Sequence, residues 1–276
     1  MERNRIPFFK MHGGGNDFVL IDHRERFIPE AEQPQFARRV CHRQVGVGAD
    51  GLILLEGSDK ADFCWRFYNA DGSEPEMCGN GGRCAARFAV LQGLAPEKLA
   101  FETLAGIIQA EVSGRRVKLA MAGVGDFNLH QTIPLGDTKV TGHFVRVGVP
   151  HVVVPVDDLE AAAVTEWGRL IRFHPRFQPA GTNVNFVRFM GPKDVAIRTY
   201  ERGVEDETLA CGTGSVAAAL VGASLGQLSP PVAVHTRGGE ILKVYFKSQG
   251  GACSEVSLEG DALVVYQGQL WVEELK

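Results

Sequence analysis

The residues with the most chemistry to offer are two cysteines in matched surroundings. One stands in Met77-Cys78-Gly79-Asn80-Gly81, the other in Ala210-Cys211-Gly212-Thr213-Gly214. The correspondence extends beyond Cys-Gly-x-Gly. Gly93 and Gly226 each follow their cysteine by 15 residues, Thr103 and Thr236 by 25, Gly106 and Gly239 by 28. A gap-free offset of 133 residues therefore runs through this stretch. Upstream, Tyr68 precedes Cys78 by ten residues and Tyr200 precedes Cys211 by eleven, so one insertion intervenes. Two copies of one unit, each presenting a thiol at the same point, suit a reaction whose two faces are mirror images: inversion at a carbon centre.

The glycines and the helical pattern behind each cysteine say how the thiols would work. A cysteine at a helix start meets unpaired N–H groups and the positive end of the macrodipole. Both lower a thiol's pKa, so each sulfur is expected to ionise near neutral pH. The same N–H groups form a cradle for a carboxylate, and glycine lets it come close. With an α-carbon held between two such ends, one thiolate removes the α-proton and the opposing thiol returns one to the other face. The N–H groups would stabilise the charge that develops on the carboxylate. Free cysteine is often an inert core residue, but two matched copies with the same flanking glycines argue against that here. Cys41, Cys64, Cys84 and Cys253 lack the motif and read as core.

Short β-branched or alternating runs must position these groups. Strands are expected at Phe18–Asp22, Gly51–Glu56, Phe63–Asn69, Ile107–Val112 and Val117–Met121. The second half repeats the theme at Val145–Val149, Val152–Val156, Val184–Phe189, Val195–Tyr200, Val232–Thr236, Ile241–Phe246 and Ser254–Glu259. Helices are expected at Pro34–Val40, Gly79–Gln92 and Val216–Leu225. The last has no polar face, as a buried helix requires. The fold class is α/β of the α+β type, with two pseudo-symmetric domains, each a curved and mostly antiparallel sheet around a central helix. Gly123-Val124-Gly125-Asp126 reads as the crossing between them. The run Leu263–Tyr266, with no equivalent at the front of the second half, reads as a strand returning to the first. The domains are therefore 1–124 with 262–276, and 125–261.

At 276 residues the chain can bury two cores. Net charge is −4 without a basic run, which argues against nucleic acid or anionic membrane as partner. Met1-Glu2-Arg3-Asn4-Arg5 is not followed by an apolar run, so no signal peptide is expected. No apolar run approaches the roughly 20 residues that cross a bilayer. Without a CxxC pair, no structural zinc site is expected. The fragment Gly46-Val47-Gly48-Ala49-Asp50-Gly51 spells GxGxxG, but it follows a helical segment and precedes a strand, the reverse of a dinucleotide fold. The expected setting is the cytoplasm, with reduced cysteines.

The chain resembles the diaminopimelate epimerase family. The resemblance rests on Lys10-Met11-His12-Gly13-Gly14-Gly15-Asn16-Asp17-Phe18, Phe67-Tyr68-Asn69-Ala70-Asp71-Gly72-Ser73, Cys78-Gly79-Asn80-Gly81-Gly82-Arg83-Cys84, Gly181-Thr182-Asn183, Tyr200-Glu201-Arg202-Gly203 and Ala210-Cys211-Gly212-Thr213-Gly214. The resemblance implies a site in a cleft between two similar domains and interconversion of LL- and meso-diaminopimelate without metal or cofactor. It also implies a small-molecule amino-acid substrate and a homodimer. Carried onto this sequence, Cys78 and Cys211 are the acid/base thiols. His151 and Glu201 are the neighbours that tune them and hold the substrate's amino group. Asn16, Asn69, Asn80, Asn183 and Arg202 grip the substrate, and Gly79, Asn80, Gly212 and Thr213 supply N–H groups to the reacting carboxylate.

Two departures bear on recognition. Val149 stands where the family commonly has Asn before Pro-His, and Gly51 where many relatives carry Gln. Both remove polar side chains, so somewhat relaxed specificity is expected. Other readings of the residues are a related racemase acting on proline, hydroxyproline or glutamate, and an isomerase of the same fold without paired thiols. A cysteine hydrolase with Cys78 as nucleophile and His151 as base leaves the second copy unexplained, and a non-catalytic binding module would bind substrate tightly with no α-proton exchange.

Overall fold

In the structure, a computed structural model, residues 5–136, 138–249 and 252–271 are described. Met1–Asn4, part of the segment read as lacking a leader, and 272–276 of the first domain lie outside them. The chain divides into two compact units: one up to Leu119 together with the chain from Asp261 onward, the other Ala120–Gly260. Among the described residues no helix is long and apolar enough to cross a membrane.

In the first unit, Arg5–Gly13 pairs antiparallel with Asn16–Asp22, which runs parallel to Gly51–Glu56 after crossing through α1 (Gln33–Cys41). Gly51–Glu56 pairs antiparallel with Phe63–Asn69. A second parallel step, through α2 (Gly79–Leu91), joins Phe63–Asn69 to Lys98–Thr103. Gly106–Ser113 and Arg116–Ala120 complete an antiparallel meander. Leu263–Trp271 lies along the other side of Arg5–Gly13.

The second unit repeats these steps in order. Thr138–Val147 pairs antiparallel with Val149–Pro155, which runs parallel to Asn183–Gly191 after α3 (Val164–Arg172). Asp194–Glu201 follows antiparallel, and a parallel step through α4 (Gly212–Ser224) leads to Val232–His235. Ile241–Gln249 and Ala252–Asp261 finish the meander. Val124–Leu135 lies along Thr138–Val147 as Leu263–Trp271 lies along Arg5–Gly13. The C-terminal strand therefore does have an equivalent at the front of the second half, and the sequence reading missed it. Bulges near Asn128, with Asp126 and His130 at φ 52° and 56°, break the alternation that would have announced it. Of the residues read as a crossing, Gly123–Asp126, the last three already belong to the start of that strand. Helix α3 was also missed. Its middle residue is Gly168, which depresses helix propensity but is needed, since a Cβ there would sit 2.4 Å from the Tyr200 Cβ.

The central helices carry the cores. Residues Gly81–Ala86 and Phe88–Ala89 of α2 are buried among Met11, Phe18, Ile53, Trp65 and Phe101. In α4 every residue from Gly214 to Gly222 is buried. Its Val216, Leu220 and Val221 each contribute about 1.5–3 kcal/mol by burial. The duplicated glycines at +15 have one role: Gly93 (φ 66°) and Gly226 (φ 72°) end the two helices in the left-handed region that a side chain disfavours. Thr103 and Thr236 close equivalent hairpins, their hydroxyls donating to the carbonyls of Gly106 at 2.8 Å and Glu240 at 2.9 Å. Tyr68 pairs with Leu52 as Tyr200 pairs with Val184. The extra residue after Tyr200 falls in the loop holding a short added strand, Asp206–Thr208.

Candidate active site

In the first unit Cys78 is the N-cap of α2, with extended backbone at φ −142°, and its Sγ accepts the Gly81 N–H at 3.4 Å. Its thiol donates to Asn16 Oδ1 at 3.7 Å. Asn16 is aimed by Asp50, whose Oδ2 accepts from its Nδ2 at 2.7 Å. Asp50 accepts in turn from the Asp17 N–H at 3.1 Å and from Arg43 at 2.7 Å. Asp17 faces Lys10 at 2.7 Å and Arg43 at 2.9 Å. Burial alone would raise its carboxyl, but hydrogen bonds from Arg43 and Lys10 prevail and hold it at about 2. Asn80 Oδ1 accepts from the fully buried Arg83 at 2.9 Å. Asn69 donates to Ser73 Oγ at 2.9 Å across its own turn. A Cβ on Gly79 would meet nothing within 4 Å, so the backbone there is open to a ligand.

In the second unit Cys211 is the N-cap of α4 in the same extended conformation, φ −122°, with Thr213 Oγ1 3.6 Å from its sulfur. The ionisation expected of it is reversed. Burial, with the Glu201 carboxylate second, pushes the Cys211 thiol up to about 12. The N–H groups of Gly214 and Thr213 and the Thr213 hydroxyl pull the other way and lose. Desolvation of a charged sulfur outweighs the helix end because few dipoles replace the water removed. Cys211 is thus protonated at neutral pH. Burial also raises Glu201, against the Thr208 hydroxyl that donates to its Oε2 at 2.9 Å.

His151 is 0% exposed and sits opposite Asn183 in parallel register. The two ends of the Asn183 amide hold the backbone: Nδ2 donates to the Pro150 carbonyl at 3.2 Å, and Oδ1 accepts the Arg202 N–H at 2.8 Å. Arg202 donates to the Ala180 carbonyl at 3.0 Å. Burial, reinforced by the Arg202 cation, lowers His151 to about 3. Its Nε2 is buried without a partner among the described residues. Such an orphan costs about 1–3 kcal/mol and calls for a functional explanation.

The candidates occupy equivalent points of the two units. In one, Asn16–Asp22 and Gly51–Glu56 begin, Phe63–Asn69 ends and α2 starts after Cys78. In the other, Val149–Pro155 and Asn183–Gly191 begin near His151, Asp194–Glu201 ends and α4 starts after Cys211. The family model described as "Diaminopimelate epimerase" matches residues 8–126 and 143–265. The diaminopimelate epimerase of Aquifex aeolicus is 48% identical, with 98% of this chain and 100% of that protein covered. The chain belongs to the diaminopimelate epimerase family.

Solved structures outside that family share the architecture. A phenazine biosynthesis protein of the PhzF family from Bacillus anthracis has a TM-score of 0.74 at 15% identity, covering 97% of this chain and 99% of that one. A hydroxyproline epimerase from Agrobacterium vitis has a TM-score of 0.67 at 15% identity, covering 98% and 93%. At these identities they establish the fold alone. Three residues near the candidates escaped the sequence reading: Asp50, Thr208 and Asn185. Asp50 was passed over inside the GxGxxG string. That loop enters strand Gly51–Glu56, and a Cβ on Gly51 would lie 2.6 Å from the Phe67 ring. Asn185 had a signal, since it lies two residues after Asn183 and shares its strand face. A surface cavity of about 720 Å³ beside Val40, His42 and Trp271 contains none of the candidates.

The depressed His151 has a consequence for acid stability. Above its ordinary value of 6.5 the ring is neutral folded or unfolded. Below that the unfolded chain takes up the proton, while the folded chain does so only near pH 3. The contribution is therefore present above pH 6.5 and lost as pH falls toward 3, reaching about 2 kcal/mol by pH 5. Urea denaturation at pH 7.5 and pH 5 should show the wild type losing about that much more than His151→Gln. Equal losses would exclude a buried neutral imidazole.

Proposed function

We propose that this chain is a diaminopimelate epimerase, interconverting the LL and meso forms by two-thiol proton transfer at the α-carbon. The observation that carries the reading is the duplicated helix end: Cys78 and Cys211 each cap a central helix in the same extended conformation. The reacting carboxylate lies on the N–H groups of Gly79, Asn80, Gly212 and Thr213. In one direction Cys211, a thiol at rest, delivers a proton, and Cys78, ionised by loss of the proton it shares with Asn16, removes one. The roles exchange in the reverse reaction, because each sulfur returns to the state the other left. Charge gathering on the carboxylate is met by preorganised N–H dipoles. Glu201 and His151 adjust the thiols, and the Glu201 carboxylate meets the α-amino group. Asn16, Asn69, Asn80, Asn183 and Arg202 grip the substrate, several of them at its distal end, as befits a zwitterionic diacid that needs both donors and acceptors.

At Gly51, Phe67 and the Tyr68 carbonyl leave no room for a side chain, so recognition there falls to neighbouring amides and specificity is somewhat relaxed. The enzyme acts in the cytoplasm as a homodimer. Its C-terminal strand exposes Val265, Tyr266 and Trp271, an apolar set that supports the dimer. Proton NMR of LL-diaminopimelate with the purified, reduced protein in D₂O tests the function. The α-proton signal should disappear as meso product forms. Exchange with proline or glutamate instead would keep the two-thiol chemistry and replace the substrate. No exchange with any amino acid would defeat the reading.

A further inference from the structure

Asn185 is fully buried, and both ends of its side-chain amide are hydrogen-bonded. Its Nδ2 lies 3.2 Å from the Val152 carbonyl and 3.2 Å from His151 Nδ1. Its Oδ1 accepts from the buried Thr199 hydroxyl at 3.0 Å. The orientation of the amide follows from the Val152 carbonyl, which can only accept and so must face the NH₂ end. The second amide hydrogen is then left for His151 Nδ1. A ring nitrogen that receives a hydrogen bond carries no proton, so the neutral imidazole holds its proton on Nε2. That Nε2 is the buried atom without a partner among the described residues.

We propose that Asn185 is a positioning residue that fixes His151 as the Nε2–H tautomer, so that His151 serves the site as a hydrogen-bond donor to an anionic acceptor and not as a base. Thr199 sets the amide, the amide sets the ring, and the ring presents one N–H. A donor cannot hold an ammonium group, so the substrate's amino group falls to Glu201. The near-complete neutrality of His151 down to about pH 3 agrees with this arrangement. Gly214, in the first turn of α4, belongs to the same construction: a Cβ there would stand 2.3 Å from Asn185 Oδ1 and 3.2 Å from Cys211 Sγ. The amide therefore touches both the histidine and the helix that Cys211 caps. The catalytic consequence rests on the epimerase reading; the tautomer does not.

The test is a long-range ¹H–¹⁵N correlation spectrum of the full ¹⁵N-labelled chain at neutral pH. His151 should show a protonated Nε2 and an unprotonated Nδ1. Asn185→Asp supplies only acceptors, so the ring should turn to the Nδ1–H tautomer and kcat should fall about 100-fold, the loss expected on removing one preorganised donor. Thr199→Val should cost about tenfold in kcat with little change in KM, and Thr199→Ser, which keeps the hydroxyl, should recover it. A wild-type spectrum with the proton on Nδ1 overturns the proposal, whether or not the Asp variant folds. So does an Asp variant that folds, keeps the Nε2–H form and retains kcat. If the tautomer is as stated but no amino acid exchanges its α-proton, the Asn185–His151 assignment stands and the epimerase reading falls.

Discussion

Cys78→Ala and Cys211→Ala are each expected to abolish conversion of LL- to meso-diaminopimelate, by at least about 10⁴-fold, the upper range for removing one acid–base group. Each direction needs one sulfur to take the proton and the other to give it, so neither variant retains a route with net inversion. The two losses should also be nearly equal, although the cysteines differ in setting. Cys211 is 7% exposed and pushed up to about 12 beside Glu201, whereas Cys78 is only partly buried and bonded to Asn16. The check is the rate of α-proton exchange and of meso formation for both variants, with folding confirmed by circular dichroism. A variant that still inverts within tenfold of the wild type would exclude the two-thiol mechanism. Equal losses in a double variant and either single variant would be expected of groups that act as a unit.

The second large effect is expected at Gly214. On helix propensity alone, Gly214→Ala would stabilise α4 by about 1 kcal/mol. The tertiary contact runs the other way. The new methyl would overlap Asn185 Oδ1 at 2.3 Å, and that amide is held by Val152, His151 and Thr199. Overpacking of this kind costs about 1–3 kcal/mol, so the net outcome is destabilisation. The displaced amide and the crowded Cys211 sulfur should lower kcat about 100-fold, the loss that a misplacement of about 1 Å produces. Gly79→Ala separates the two causes. A Cβ there meets nothing within 4 Å, so stability should hold, yet the methyl stands where a carboxylate must approach the N–H groups. Activity should fall at least about tenfold through KM. Urea denaturation and steady-state kinetics on both variants decide the matter. A fully active Gly79→Ala would remove the carboxylate cradle from the mechanism.

The duplicated glycines and threonines were legible because their roles are local. Gly93 and Gly226 terminate helices, and Thr103 and Thr236 close hairpins, whatever surrounds them. Gly51–Glu56 and Phe63–Asn69 were legible for a similar reason, since they declare themselves by apolar content and pattern. Val124–Leu135 and α3 were not, because two bulges and a packed Gly168 replace the local signal with a tertiary one.

By itself, the amino-acid sequence determined the class of chemistry. Two matched thiol motifs at one offset specify two equivalent helix ends, and equivalent ends suit a reaction symmetric about one carbon. Only the tertiary structure decided the protonation states and the orientations. Cys211 is a thiol and not a thiolate because burial and Glu201, residues apart in the chain, outweigh the helix end beside it. Asn16 faces Cys78 because Asp50 holds its other end, and His151 presents Nε2 because Asn185 takes Nδ1. Helix ends follow from nearest neighbours along the chain. Desolvation and hydrogen-bond direction depend on which distant groups close around an atom, and no local spacing records that.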